Sequence, residues 1–192
     1  MMKTADANHI IKRLQEGDVF LVSEKGIKHT IIKALQRSRW NHVLLYIGKG
    51  RTIEVTPRNG AHICDLMHDL TEKPYIAWKV LRNKKLTQAQ RRKIIATALR
   101  LFNGKKFSAM QYARIILGRT LHWKNANNSH VCKPGHKCNT GSLVCSNMVA
   151  MAYYEAGFPI GETHMPEYVV PKDYEMAKTL KVVFTGENKE LA

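Results

Sequence analysis

The sequence predicts an α+β fold in which an antiparallel sheet packs against helices. Segments rich in β-branched and aromatic residues fill the first half of the chain, and amphipathic helical patterns fill the second half. One more strand-forming segment returns near the C-terminus. Strands that precede helices in this way are typical of α+β folds. The 192 residues, 44% of them hydrophobic, indicate a single domain over residues 1–192. We expect its core at about 15–160 and a C-terminal extension at about 161–192.

The first half of the chain is predicted to be mostly strands. A short helix is expected over residues 6–15, followed by the turn formers Gly17 and Asp18 and an apolar strand at 19–22. Apolar residues at helical spacing then predict a helix over 27–37. Enrichment in strand formers predicts four further strands, at residues 40–47, 52–56, 61–65 and 75–81.

The second half carries helix signals and one long polar segment. Thr87 and Gln90 form a capping box that opens a helix to about residue 102. Ser108 is expected to cap another helix, over about 108–118. Residues 119–141 are polar and irregular, and loops of that length are usually functional or disordered. The last predicted strand lies at 180–185.

Cys145 is expected near the start of a third amphipathic helix. Ser142 is its predicted cap, and Gly157 followed by Pro159 is its predicted end. Free backbone N–H groups in the first helical turn favour negative charge, so a thiol placed there is favoured as a thiolate nucleophile. The alternative is a small apolar side chain packed into the helix face. The helix is predicted because apolar residues recur at helical spacing, at positions 144, 148, 149, 152, 153 and 156.

A thiolate nucleophile needs a base, and His42 is the candidate because it begins an otherwise apolar strand. Glu54 lies on the next strand, and the turn decides whether it faces His42. A two-residue loop would place it on the opposite face. A three-residue loop at 48–50 would pair residue 44 with residue 54 and bring Glu54 within diagonal reach of His42. By themselves, the two residues could equally be a structural hydrogen-bonded pair.

These residues resemble the circularly permuted NlpC/P60 cysteine hydrolases, and in particular the YiiX/YebB-like branch. The resemblance covers about residues 15–160 and rests on short motifs in a fixed order, which are Gly17-Asp18-Val19, Trp40-Asn41-His42-Val43 through Gly48, Ile53-Glu54-Val55 and Val144-Cys145-Ser146. It implies a papain-like core in which the His strand precedes the Cys helix. It also implies a catalytic triad of Cys145, His42 and Glu54.

The implied chemistry is attack of the Cys145 thiolate on an acyl carbon, with His42 as base and then acid and Glu54 orienting the imidazole. The N–H of Cys145 could stabilise the oxyanion. This mechanism requires no cofactor. Tyr46 is a candidate substrate-binding residue, and a core aromatic residue is the alternative.

The polar loop offers a weaker alternative, a zinc site. His130, Cys132, His136 and Cys138 are the residue types that bind tetrahedral zinc, although their spacing matches none of the usual patterns. A Cys132–Cys138 disulfide is a further possibility in an oxidising compartment. Cys64, on a predicted strand, is expected in the core.

The leading functional hypothesis is a thiol hydrolase that cleaves an amide bond in a cell-wall or other peptide. The net charge of +16 suits an anionic wall polymer or a membrane surface, and a specific nucleic-acid site is less favoured because no aromatic residues interleave the basic clusters. The alternatives are a lipid esterase or acyltransferase with the same site, and a basic nucleic-acid-binding module with an inert Cys145. The N-terminal residues lack a secretory signal, which predicts a cytoplasmic protein that lysis or a phage particle could release.

Overall fold

The computed structural model describes residues 3–26, 38–121, 137–161 and 165–188, with only the backbone for 118–121. The described helices are α1 (Thr4–Arg13), α2 (Leu66–Glu72), α3 (Gln88–Phe102), α4 (Ala109–Leu121), α5 (Cys145–Glu155) and α6 (Pro171–Met176), with a 3₁₀ turn at Pro166–Tyr168. The strands are β1 (Val19–Glu24), β2 (His42–Gly48), β3 (Arg51–Thr56), β4 (Gly60–Asp65), β5 (Tyr75–Arg82) and β6 (Lys181–Glu187).

The six strands form one sheet in the order β4-β3-β2-β1-β5-β6, and every neighbouring pair is antiparallel. This arrangement confirms the predicted α+β class. Side chains alternate between the two faces of a strand. One face packs against α3 and α5, and the other packs against α1 and α2. The β2 strand is therefore buried on both sides, which explains its nearly continuous apolar sequence.

Two helix predictions are confirmed at their capping residues. Thr87 and Gln90 form the predicted capping box of α3, and Ser108 Oγ accepts the N–H of Gln111 at the start of α4. The helix α2 was not expected from the sequence. Asp65 caps it by accepting the N–H of His68. The helix predicted over 27–37 lies outside the described residues.

The C-terminal extension is part of the fold. Its strand β6 pairs with β5 at the edge of the sheet, and the ring of Tyr174, from α6, is fully buried in the core beside α5. The prediction of a strand near 180–185 is confirmed. The extension contributes more than that strand, because Tyr174 also reaches the helix that carries Cys145.

None of the described helices is long and apolar enough to cross a membrane.

Candidate active site

The turn between β2 and β3 sets the alignment of His42 and Glu54. The turn contains two residues, Lys49 and Gly50. Both have positive φ (53° and 69°), as is common in two-residue β-hairpin turns. The predicted three-residue loop is therefore wrong. However, the pairing shifts by one residue between Tyr46 and Gly48, which is a β-bulge. The extra residue in β2 produces the register that the longer loop was expected to produce.

Beyond the bulge, Leu45 pairs with Ile53, so residue 44 lies opposite residue 54. His42 and Glu54 are then diagonal neighbours on the same face of adjacent strands. Their side chains meet, with 2.5 Å between His42 Nε2 and Glu54 Oε2. The same-face arrangement predicted from the sequence is thus found, although a bulge produces it.

Cys145 is the first residue of α5. The preceding residue, Val144, is the N-cap, so the prediction that Ser142 caps this helix is wrong. Asn147 replaces it. The side chain of Asn147 accepts the N–H of Val144 at 2.8 Å and donates to the Ser142 carbonyl at 3.0 Å. A side chain of α5 itself therefore stabilises the first turn of the helix, and Cys145 lies at the helix start, as predicted.

His42 interacts with both other members of the predicted triad. Its ring is hydrogen-bonded to Glu54, and the Cys145 thiol is close enough for its charge to raise the pKa of His42. Since Nε2 faces Glu54, Nδ1 is the ring nitrogen left for the thiol. His42 is only 8% exposed and Glu54 only 1%, whereas Cys145 is half-buried. The site thus has a buried acid and base behind a thiol that solvent can reach.

The electrostatics of the pair favour a protonated His42. Burial lowers the pKa of His42, but interactions with Cys145 and Glu54, together with the hydrogen bond to Glu54, outweigh it, and the pKa lies well above its ordinary value. Burial raises the pKa of Glu54, and the charges of His42 and Lys73 outweigh that effect. The pKa of Glu54 is consequently held well below its usual range. An imidazolium next to a thiol can supply a proton to a leaving group.

The second carboxylate oxygen of Glu54 has three further neighbours. Lys73 Nζ lies 2.9 Å from Oε1, the Cys64 thiol donates to the same oxygen at 3.1 Å, and His62 Nε2 lies 3.6 Å away. Lys73 also donates to Asp69 at 2.9 Å. No sequence signal marked Lys73 or its partner Asp69, because Asp69 lies within α2 and Lys73 ends it, and that helix was not expected.

Among the described residues, Glu54, His62 and Cys64 form a group whose ligand atoms all lie within 4.8 Å of one another. Carboxylate, imidazole and thiolate are all zinc ligands. The arrangement does not fit a metal ion, however. The Lys73 ammonium already contacts Glu54 Oε1 at 2.9 Å, and the Cys64 thiol donates to the same oxygen at 3.1 Å. The group is a hydrogen-bonded ion network instead.

Tyr174 supports the start of α5 from the C-terminal extension. Its hydroxyl donates to the carbonyl of Ser146, next to Cys145. Burial, and then the charge of Cys145, raises the pKa of Tyr174 well above its ordinary value, so the hydroxyl stays a donor. No sequence signal marked this residue, because its contact joins positions 28 residues apart.

Gly17 and Asp18 have a structural place in the fold. Asp18 is fully buried and accepts two hydrogen bonds from Arg82, at 2.7 and 2.6 Å. The carbonyl of Gly17 accepts the hydroxyl of Tyr153, on α5. This motif therefore joins the central strand β1 to the helix that carries Cys145, and so helps to position the site.

Other predicted site residues lie apart from the triad or outside the described part of the chain. Tyr46 is a core residue whose hydroxyl accepts the N–H of Gly50 at 3.0 Å, and its substrate-binding role stays a prediction. Cys64 is half-buried. Cys138 is described and is half-buried. The other zinc candidates, His130, Cys132 and His136, lie outside the described residues, and so does the Cys132–Cys138 disulfide.

Comparison with solved structures shows a similar fold in metalloprotein YiiX from Escherichia coli O157:H7, a DUF1105 protein. The TM-score is 0.63 at 16% sequence identity, and the match covers 91% of this chain and 98% of that chain. No protein-family model matches the chain, and no curated protein matches it. The chain therefore has a YiiX-like fold.

Proposed function

We propose that the protein is a thiol hydrolase that cleaves an amide bond through Cys145, His42 and Glu54. The observation that carries the proposal is the position of His42, which is hydrogen-bonded to Glu54 and close enough to Cys145 for the thiol to act on its pKa. A nucleophile in contact with a base, and a base in contact with an orienting acid, is the arrangement that covalent catalysis requires.

In the proposed reaction, the sulfur of Cys145 attacks the carbonyl carbon of an amide. His42 gives its proton to the leaving amine, and a thioester to Cys145 remains. Neutral His42 then takes a proton from water as the water oxygen attacks the thioester, which releases the acid and restores the Cys145 thiolate beside protonated His42. Glu54 stabilises the imidazolium in both steps. Because Cys145 begins α5, its backbone N–H is one of the amides that are free to bind the oxyanion.

The fold supports the same assignment. The resemblance to the circularly permuted NlpC/P60 hydrolases places the His strand before the Cys helix, and the order of β2, β3 and α5 agrees with it. The YiiX-like fold is compatible with this proposal. Cell-wall peptides are the proposed substrates, because the net charge of +16 favours substrates attached to an anionic polymer.

YiiX is described as a metalloprotein. The Glu54, His62 and Cys64 group is where the described part of this chain would hold a metal, and the ammonium of Lys73 takes up the carboxylate there. The proposed mechanism accordingly uses no metal ion.

Selective alkylation tests the proposed nucleophile. Iodoacetamide at pH 6, followed by mapping of the modified peptides, should label Cys145 stoichiometrically. The His42→Ala variant should lose that labelling, and Cys64→Ser should keep it, since the Cys64 thiol is held protonated by burial and by Glu54. Equal labelling of Cys145 with and without His42 would overturn the proposal.

The substrate class is tested with the intact protein on two materials. Release of amines from purified peptidoglycan, lost in Cys145→Ser, supports the amide hydrolase. Release of fatty acid from anionic phospholipid vesicles without amine release would instead assign the site to lipid esters. DNA binding with a steep salt dependence, combined with an unreactive Cys145, would identify a basic binding module.

A further inference from the structure

We propose that Lys73 is a positioning residue that holds Glu54 in place and ionised against His42. This inference deepens the proposed function and rests on it. Each carboxylate oxygen of Glu54 has its own hydrogen-bond partner, His42 at Oε2 and Lys73 at Oε1.

Lys73 is itself fixed at three points. It is the C-cap of α2, where its backbone N–H donates to the carbonyl of Asp69 at 3.1 Å. Its ammonium donates to Asp69 Oδ2 at 2.9 Å and lies 6.0 Å from the centre of the Tyr75 ring. Helix α2 thereby delivers a cation to a fixed position beside β3. A lysine held in this way can restrain the carboxylate it contacts.

The carboxylates around Lys73 need this charge because water cannot reach them. Glu54 is 1% exposed and Asp69 is 3% exposed. Each raises the cost of ionising the other, and burial raises it further. The ammonium between them offsets that repulsion, which leaves Glu54 as the anion that an imidazolium requires. Lys73 therefore acts through Glu54 rather than on the substrate.

Removing the Lys73 ammonium should change the pKa of His42 in a predictable direction. If Lys73 holds Glu54 in place and ionised, its loss displaces or protonates Glu54, so His42 loses its anionic partner and the pKa of His42 should fall toward its ordinary value. If Lys73 were only a nearby cation, its loss would let His42 hold its proton more tightly, and the pKa of His42 would rise. The titratable and charged groups that surround Glu54 are His42 on β2, His62 and Cys64 on β4, Asp69 and Lys73 on α2 and at its end, Tyr75 on β5 and Cys145 on α5.

The test is an NMR titration of the His42 ring in the full-length protein, assigned by loss of its signal in His42→Ala. In Lys73→Met the His42 titration should move to lower pH by about one unit. Lys73→Arg, which restores the charge, should titrate close to the wild type. Lys93→Met is the matched control, because Lys93 also lies over an aromatic ring, 5.8 Å from the centre of Phe158, beyond the far end of α5 from Cys145.

An unchanged His42 titration in Lys73→Met, or one that moves to higher pH, would overturn the role of Lys73. Failure of Lys73→Arg to restore the titration would do the same. These outcomes are separate from the fate of the proposed function, because the titration needs no substrate. If Cys145 of the wild type is not labelled by iodoacetamide, the hydrolase proposal fails whatever Lys73 does.

Discussion

Replacing Glu54 by Gln tests the central ion pair with the smallest change of shape. The variant keeps the size of the side chain and removes its charge. It leaves the imidazolium of His42 without an anionic partner on that side, and it leaves Lys73 with Asp69 alone. Both stability and the reactivity of Cys145 should therefore fall.

The magnitude follows from burial. Removing one partner of a buried ion pair costs about 3–5 kcal/mol. We expect the lower end, about 3 kcal/mol, because Lys73 keeps its ion pair with Asp69 and the Lys73 side chain is 29% exposed. For a protein of this size, that corresponds to a Tm lowered by about 6–12 °C. A hydrogen bond to a charged group contributes about 1.5–3 kcal/mol, so alkylation of Cys145 should slow roughly 10- to 100-fold.

The assay combines thermal unfolding with the rate of iodoacetamide labelling at pH 6. Glu175→Gln is the matched control, because it removes a carboxylate that pairs with Lys79 while both side chains are 22–30% exposed. It should cost no more than about 1 kcal/mol and leave labelling unchanged. If Glu54→Gln labels at the wild-type rate, Glu54 does not orient His42.

The stability difference between the wild type and Glu54→Gln should also depend on pH. The folded pKa of Glu54 is lowered, so its contribution is present above the unfolded value, about 4.3, and is lost as pH falls through the folded pKa. The folded pKa of His42 is raised, so its contribution is complete below about 6.5 and is lost as pH rises through the folded pKa. The difference should be largest between about pH 5 and 6.5 and should shrink on both sides. A difference that does not change from pH 3 to 9 would refute this assignment.

Three other variants test the supports of the site. Tyr174→Phe removes the donor to the Ser146 carbonyl, and it should cost about 1 kcal/mol and slow Cys145 alkylation a few-fold. Gly60→Ala should destabilise the protein by about 2 kcal/mol or more, because φ is +66° and the new Cβ would lie 2.2 Å from the Lys105 carbonyl oxygen. Cys64→Ser should leave the absorption spectrum in Co²⁺ unchanged, because the Lys73 ammonium takes up Glu54 Oε1.

Each of these outcomes has a control. Gly157→Ala, at φ +91° with open space around the new Cβ, separates backbone strain from the collision at Gly60 and should cost less. Equal losses in the two variants would contradict the collision. A thiolate-to-cobalt absorption band that disappears in Cys64→Ser would show that a metal does bind beside Glu54.

Local patterns were sufficient for the elements that carry the site. The capping box at Thr87, the apolar spacing of α5 and the strand around His42 each depend on residues that are close in sequence. The α2 helix was missed because it spans only seven residues between two strands. The cap of α5 was misassigned because both Ser142 and Asn147 are plausible capping residues, and only the local geometry selects Asn147.

The sequence by itself determined the fold class and the position of Cys145 in the first turn of its helix, because these follow from periodicity within short segments. It indicated the candidate triad through the resemblance to the circularly permuted NlpC/P60 hydrolases. The tertiary structure decided three features that depend on long-range packing. A bulge, rather than a longer turn, aligns Glu54 with His42. Lys73, at the end of α2, donates a hydrogen bond to Glu54, and Tyr174, in the C-terminal extension, donates one to the backbone of α5. Burial creates the requirement for these partners, and burial is a property of the assembled chain.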